Sequence, residues 1–320
     1  MKTVSVLLPV YNAADTIGYA IKSILNQTHI NFELIIIDDG STDNSSDVIS
    51  KIIDSRIKYF YKEHDGLSEA LNYGLSLCSN EIVFRMDADD IALPNRLEVQ
   101  LRVFENCSRN TILSCRYALF SGMNVWGIVK SPTGHNEILK RLPLQNEITH
   151  SGVVFNKSFV LENGGYSKQP FEDYELWLRL STKAEFKIVP EVLMLVLYNN
   201  KSLARKGISH QNGLVYSLVT SYFKNFRTYT RFGLNENEID NVEAWREYFF
   251  GNKISARKKL SLCNRSGSYS IKRSIGFLAT YLDDNSFIKF KESRLKFRLQ
   301  SLVNIKFRKM LNTFLRSAIS

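Results

Sequence analysis

Residues 84–94 read FRMDADDIALP. The apolar run Ile82-Val83-Phe84 ends here, and three carboxylates, Asp87, Asp89 and Asp90, fall within four positions. Two carboxylates about 4 Å apart repel by roughly 4 kcal/mol at an effective dielectric near 20. A chain that crowds them where a strand leaves its core needs something to offset that repulsion. A divalent cation would, because hard oxygen ligands suit it. A solvated acidic turn capping the next helix is the structural alternative.

The flanking pattern decides what kind of strand this is. Thr3–Tyr11, Phe32–Ile37, Ile57–Tyr61 and Glu81–Met86 read as strands. Between them, Ile17, Ile21, Ile24 and Leu25 recur at helical spacing, as do Leu67, Ala70, Leu71, Gly74 and Leu75. A helix from about Thr42 to Ile53 joins the second and third strands, and Pro94 opens another through Phe104. Strands alternating with helices predict a parallel sheet covered on both faces. In such a sheet ligands bind beyond the carboxyl ends of the strands. Tyr11-Asn12, Asp38-Asp39 and Asp87-Ala88-Asp89 all fall at that edge, which favours a metal or nucleotide site over an isolated acidic turn. From Cys115 to Tyr198 short strands, Gly164-Gly165 and a helix Phe171–Ser181 suggest an α+β extension completing the site. Beyond Gly207 the chain reads as helical.

Charge divides the 320 residues in two. Residues 1–200 carry 19 Lys+Arg against 24 Asp+Glu, and residues 201–320 carry 23 against 8. A slightly acidic body is thus followed by a basic tail, which points the tail towards an anionic partner. Cys78, Cys107, Cys115 and Cys263 make no C-x-x-C pair and read as reduced thiols in a cytoplasmic setting. The N-terminal apolar stretch is short for a signal peptide and alternates like a strand. The longest candidate span, Phe186 to Tyr198, is interrupted by Lys187, Pro190 and Glu191, so no transmembrane helix is expected.

Four motifs together resemble the inverting glycosyltransferases of family 2: SVLLPVYNA at 5–13, IDDGSTD at 37–43, MDADD at 86–90 and FEDYELWLRL at 171–180. The resemblance covers about residues 3–207, and the phrasing around DADDIALPNRLEVQ, with ARKG at 204–207, is similar to the bacterial branch that builds capsule, exopolysaccharide or O-antigen. It implies a GT-A fold, a Rossmann-like mixed sheet flanked by helices, with a C-terminal helical extension. Residues 1–110 are then the nucleotide-sugar half, 111–207 the acceptor-side half and 208–320 the basic helical region.

The implied reaction displaces a nucleoside diphosphate, probable donor a UDP-sugar, from the anomeric carbon by an acceptor hydroxyl. The leaving diphosphate gathers charge, which a manganese or magnesium ion would hold. The resemblance assigns Asp89 as metal ligand and Asp87 as its support, through the ribose or a metal-bound water; Asp90 is read as a ligand or as a cap of the helix near Pro94. It places Asp39 on the uracil imide and Tyr11 against the ring, with Pro9 shaping the strand end and Asp38 in an Asx-turn. Asp173 is the general base, at a helix start that favours the carboxylate form. Glu172 caps or orients, and Trp177 lies on the inner side of that helix. Weaker candidates are His150 beside the acceptor channel, Arg85 on the diphosphate or on Asp87, Asn72 near the donor, and Arg205 and Lys206 on the diphosphate. Many relatives carry a further metal-binding histidine where LYNNK at 197–201 stands here, with Lys201 at that place. No QxxRW signature follows residue 173, so a single addition is expected rather than polymer synthesis.

Residues 286–320 hold nine Lys+Arg and one acidic residue, Glu292. Leu295, Leu299, Leu302, Val303, Phe307, Met310, Leu311 and Phe314 recur at helical spacing. A basic amphipathic helix predicts binding to an anionic membrane surface, fitting a lipid-diphosphate-linked saccharide acceptor and a peripheral place on the inner face of the cytoplasmic membrane. Packing on the body is the alternative. Two rivals remain. DADDI is close to the DxDx[TV] motif of haloacid-dehalogenase-like phosphatases, but that motif ends a first strand and position 91 is Ile. A nucleic-acid-binding protein would fit the net charge of +10, but the charge is confined to the tail and no nucleic-acid partner is expected.

Overall fold

In the computed structural model, which describes residues 2–198, 208–222, 236–249, 253–265 and 310–316, the expected alternation is present. β1 (Val4–Val10), α1 (Ile17–Leu25), β2 (Phe32–Asp39), α2 (Ser45–Ser50), β3 (Ile57–Lys62), α3 (Leu67–Leu77) and β4 (Ile82–Arg85) follow one another. β1 and β2 are buried along their whole length, as strands covered on both faces must be. α1 turns Ile17, Ala20, Ile21 and Ile24 inward onto them.

The remaining strands are β5 (Ile91–Ala92), β6 (Thr111–Ser121), β7 (Asn124–Val129), β8 (Val154–Asn156) and β9 (Glu185–Leu197). Helices α4 (Arg96–Phe104), α5 (His135–Arg141), α6 (Lys157–Glu162) and α7 (Glu172–Leu180) lie between them. The nine strands make one sheet in the order β3-β2-β1-β4-β8-β6-β9-β5, with β7 paired to β6. β3, β2, β1 and β4 run parallel, whereas β8 is antiparallel to β4 and β6. The sheet is therefore mixed. The apolar run at Phe186–Tyr198 is the long strand β9, whose pairing with β6 shifts register near Pro190. That is where a residue without an N–H is tolerated.

The chain falls into two packing units. Residues 1–135, 148–198 and 303–320 form one; residues 136–147 and 199–302 form the other. In the second, α8 (Ile208–Tyr222), α9 (Glu236–Phe249) and α10 (Lys253–Arg265) realise the expected helical region. α9 and α10 bury Ile239, Val242, Ala244, Ala256 and Leu260, and Lys259 meets Glu243 at 3.1 Å.

Within the first unit, a short helix over 310–316 places Leu311 and Leu315 in an apolar cluster with Ile91, Phe120, Val125 and Leu195, and Phe314 packs against it. The last part of the amphipathic pattern thus packs on the sheet, which corrects the membrane reading for Leu311 and Phe314. Arg205, Lys206, Lys201 and the rest of that pattern from Leu295 to Phe307 lie outside the described residues. Among the described residues no helix is long and apolar enough to cross a membrane.

Candidate active site

Three loops meet at the carboxyl ends of β1, β2 and β4. Asn12 follows β1 in the left-handed region, at φ 50°, where an asparagine is among the few side chains that sit easily. Its Oδ1 accepts from Thr42 N–H at 2.8 Å, and its own N–H donates to Ser41 Oγ at 3.0 Å. This laces the β1 loop to the β2 loop. Asp38 forms the expected Asx-turn, accepting from Ser41 N–H at 2.8 Å, and also accepts from the Tyr59 hydroxyl at 2.8 Å. Gly40, at φ 74°, lets the chain approach His64: a Cβ there would lie 2.7 Å from the His64 nitrogen.

Asp39 is nearly wholly buried, and its carboxylate accepts three hydrogen bonds. Oδ1 accepts from Lys62 Nζ at 2.6 Å and Asp65 N–H at 3.2 Å. Oδ2 accepts from Gly66 N–H at 2.9 Å and lies 2.8 Å from His64 Nδ1. Burial works against ionisation, but these partners outweigh it and hold the carboxyl below its usual range. Tyr11, just past β1, keeps 47% of its surface exposed, and His64 stacks on it with centroids 4.1 Å apart. Pro9 lies inside β1 opposite Ile37 and shapes backbone only.

The acidic cluster divides into three roles. Asp87 pairs with Arg85, which is buried beneath it. Arg85 is thereby committed to Asp87 in the structure, the second of its two expected roles. Asp89 faces solvent, yet the protein around it and then the charge of Asp87 raise its pKa to about 6. Asp90 points inward. It accepts from Leu197 N–H at 2.9 Å and from Ser151, and burial followed by the charges of Asp89 and Asp87 pushes its pKa well up. It does not cap α4, which starts at Arg96 after Asn95; its side chain instead ties the acidic loop to the end of β9. Ser151 also accepts from Asp87 N–H at 2.9 Å. Below, buried Arg96 donates to the Arg85 carbonyl at 2.7 Å and to Gln100 Oε1 at 3.0 Å.

α7 supplies the opposite wall. It is entered through Phe171, held left-handed at φ 60° without being glycine. Such strain persists where its surroundings over-determine it. Asp173 sits in the first turn and accepts from Tyr174 N–H at 2.7 Å. Glu172 lies 3.6 Å from His150 Nδ1, and burial followed by the charge of Asp173 raises its pKa to about 7. His150 is buried, with its Nε2 3.0 Å from the Tyr166 hydroxyl. Burial first, then Arg85, keeps it neutral by pushing its pKa well down. Trp177 has no exposed surface and packs edge-on to His150 and Phe186, so it supports the wall from inside and presents no face to a substrate.

The loop carrying Tyr166 is clamped. Asn72 accepts from Tyr166 N–H and donates to its carbonyl, both at 2.8 Å, so its amide clamps the backbone of that loop. Gly165, at φ 60°, is required there because a Cβ would lie 2.6 Å from Asn72 Oδ1. Arg179 holds the same loop from α7, donating to Gly165 O at 2.6 Å and to Glu175 at 2.9 Å. Lys62, His64, Ser151 and Tyr166 are site residues that reading the sequence missed.

Ser151 holds Asp87 N–H and its neighbour His150 lies 3.6 Å from Glu172, so the two acidic motifs meet at one segment. Among the described residues no group of three or more His, Cys, Asp or Glu forms a ready-made metal cage. A pair of hard carboxylates, one facing solvent, nonetheless suits a divalent cation.

Residues 5–163 match Glycosyl transferase family 2. The chain belongs to that family and is a glycosyltransferase. It is 33% identical over 239 residues to the O-antigen biosynthesis glycosyltransferase WbnJ of Escherichia coli, covering 72% of this chain and 92% of that one. It is 28% identical over 267 residues to the hyaluronan synthase of Pasteurella multocida, spanning 81% of this chain and 26% of that protein. The fold is like that of S. aureus TarS in complex with UDP-GlcNAc, with a TM-score of 0.59 at 16% identity over 99% of this chain and 88% of that one. It is also like the mannosyltransferase PcManGT from Pyrobaculum calidifontis in complex with GDP-Man and Mn2+, with a TM-score of 0.55 at 16% identity, covering 98% and 85%. The fold is therefore GT-A, and the phosphatase and non-enzymatic readings fall away.

Proposed function

We propose that this chain is an inverting glycosyltransferase of bacterial surface-polysaccharide synthesis, moving one sugar from a UDP-sugar to a lipid-linked or growing saccharide acceptor. The observation that carries the proposal is that Asp87 N–H is held by Ser151 beside His150, which lies 3.6 Å from Glu172, so the Asp87–Asp89 and Glu172–Asp173 pairs share one anchor. A donor lying between them would have its diphosphate on the first pair and its anomeric carbon towards the second.

In this reading Tyr11 and Asp39 hold the base, and Asp87 and Asp89 hold a divalent cation. When bound, the cation would supply Lewis-acid neutralisation of the diphosphate. Asp173 takes the proton of the attacking acceptor hydroxyl as the new bond forms on the face opposite the leaving group. The amides at the start of α7 stabilise its charged form. Glu172 is the second reading for the base, because a pKa of about 7 is close to ideal for proton transfer at neutral pH. Arg85 orients Asp87 through their ion pair. The similarity to WbnJ over nearly its full length supports an O-antigen-type product. Cytoplasmic action at the inner membrane face, with residues before 310 as the basic contact, is part of the same proposal.

Release of UDP from a panel of UDP-sugars with manganese, with and without chelator, tests the function. One UDP-sugar should be turned over and chelation should stop it. Turnover of GDP-sugars alone would replace the donor assignment.

A further inference from the structure

The β6–β7 hairpin carries an irregularity with a purpose. Leu119 pairs with Gly127 but Phe120 pairs with Val125, so Trp126 is skipped by the ladder. A bulged residue is re-aimed relative to its neighbours, and bulges recur beside active sites. Here Val125 and Ile128 both go into the apolar cluster under the sheet, while Trp126 keeps 41% of its surface exposed. Its indole lies against Tyr198, with centroids 4.9 Å apart and planes 25° apart.

Tyr198 is fixed beside the acidic loop. Its N–H donates to Phe120 O at 2.6 Å, and the preceding Leu197 donates to Asp90. The aromatic pair therefore stands one residue, about 3.8 Å of chain, beyond the amide that grips the acidic cluster. A flat indole braced by a stacked ring and 41% exposed suits a flat apolar partner. The C–H face of a pyranose ring is such a partner.

We infer that Trp126, braced by Tyr198, is a stacking platform for a sugar ring of the saccharide acceptor. The inference rests on the proposed transfer to a saccharide and adds the place where that saccharide is held. A nucleobase is a poorer occupant, because the base is already assigned to Tyr11 past β1, which β4 and β8 separate from β6. An anionic leaflet is poorer too, because Asp90 ties the acidic loop to Leu197, the residue before Tyr198.

Saturation-transfer NMR on the full chain tests it, with methyl β-glycosides of glucose, galactose and N-acetylglucosamine as probes and UDP with manganese as a parallel ligand. For wild type, at least one glycoside should receive saturation on the C–H protons of one ring face. Trp126→Ala should cut that transfer at least fivefold, Trp126→Phe should retain half or more, and all three proteins should saturate UDP alike. Absence of transfer to every glycoside, or undiminished transfer in Trp126→Ala, overturns the inference. So does binding of phosphatidylglycerol vesicles through Trp126 with no glycoside signal. Failure of UDP to bind any of the proteins counts instead against the donor reading and leaves the glycoside result standing.

Discussion

The imidazole of His64 lies flat on the phenol of Tyr11, with ring planes 17° apart, and the same imidazole places Nδ1 2.8 Å from the Asp39 carboxylate. One side chain thus covers both features assigned to the base. Its side chain is half exposed, so moving it breaks little packing. Lys62, Asp65 and Gly66 hold the rest of Asp39 and are far less free to leave.

The first prediction follows from that overlap. His64→Ala should bind UDP three- to tenfold more tightly than wild type by calorimetry, because no ring has to be displaced. Tyr11→Ala should weaken UDP by tenfold or more. Weaker binding in His64→Ala would mean that the imidazole is itself a wall of the base pocket.

The second concerns the two acidic pairs. Asp89→Asn should lose the rise in melting temperature that manganese plus UDP gives wild type. Asp173→Asn should keep that rise and lose transfer by about 10²–10⁴-fold, the usual worth of a general base. If Asp173→Asn still transfers while Glu172→Gln does not, the base is Glu172.

A third uses pH. The folded pKa of Glu172, about 7, lies above the ordinary glutamate value, so its proton favours the folded state. The stabilisation is complete below about pH 4 and is lost as pH rises through 7. Glu172→Gln removes the charge and should melt higher than wild type at pH 8, with the difference gone at pH 4.5. Equal melting temperatures at both pH values would contradict the burial of this carboxyl against Asp173.

The fourth is structural. Asn72→Ala strands the N–H and carbonyl of Tyr166 beneath the wall of the site. Unmade buried hydrogen bonds cost about 1–3 kcal/mol each, so urea denaturation should show a loss of roughly 2–4 kcal/mol. A loss under 0.5 kcal/mol would mean that water replaces the amide freely.

Much of this was legible from the chain. The strands announced themselves because a buried parallel sheet demands unbroken apolar runs, and Tyr11, Asp39 and Asp87 stood out by ending those runs. Lys62 and His64 did not, because their role depends on β3 pairing so that Lys62 stands opposite Asp39. No local pattern encodes that register. Asp90 beside Asp89 gives no sign that its partner is Leu197, and Trp126 is re-aimed by a bulge that alternation alone would not place. The apolar stripe at 310–316 was read correctly as a stripe. Whether it meets lipid or protein is decided by Phe120 and Val125, far away in sequence.

That helix has a consequence for how the protein is made. β6, β7 and β9 leave the ribosome with the Phe120–Val125–Leu195 face uncovered, and the chain between Leu197 and Leu311 must be translated before its cover arrives. Domains generally fold as units as they emerge, yet this one waits for the helix over 310–316. Stalled chains ending at residue 302 should therefore bind chaperones and an apolar dye more strongly than chains in which the 310–316 helix has emerged.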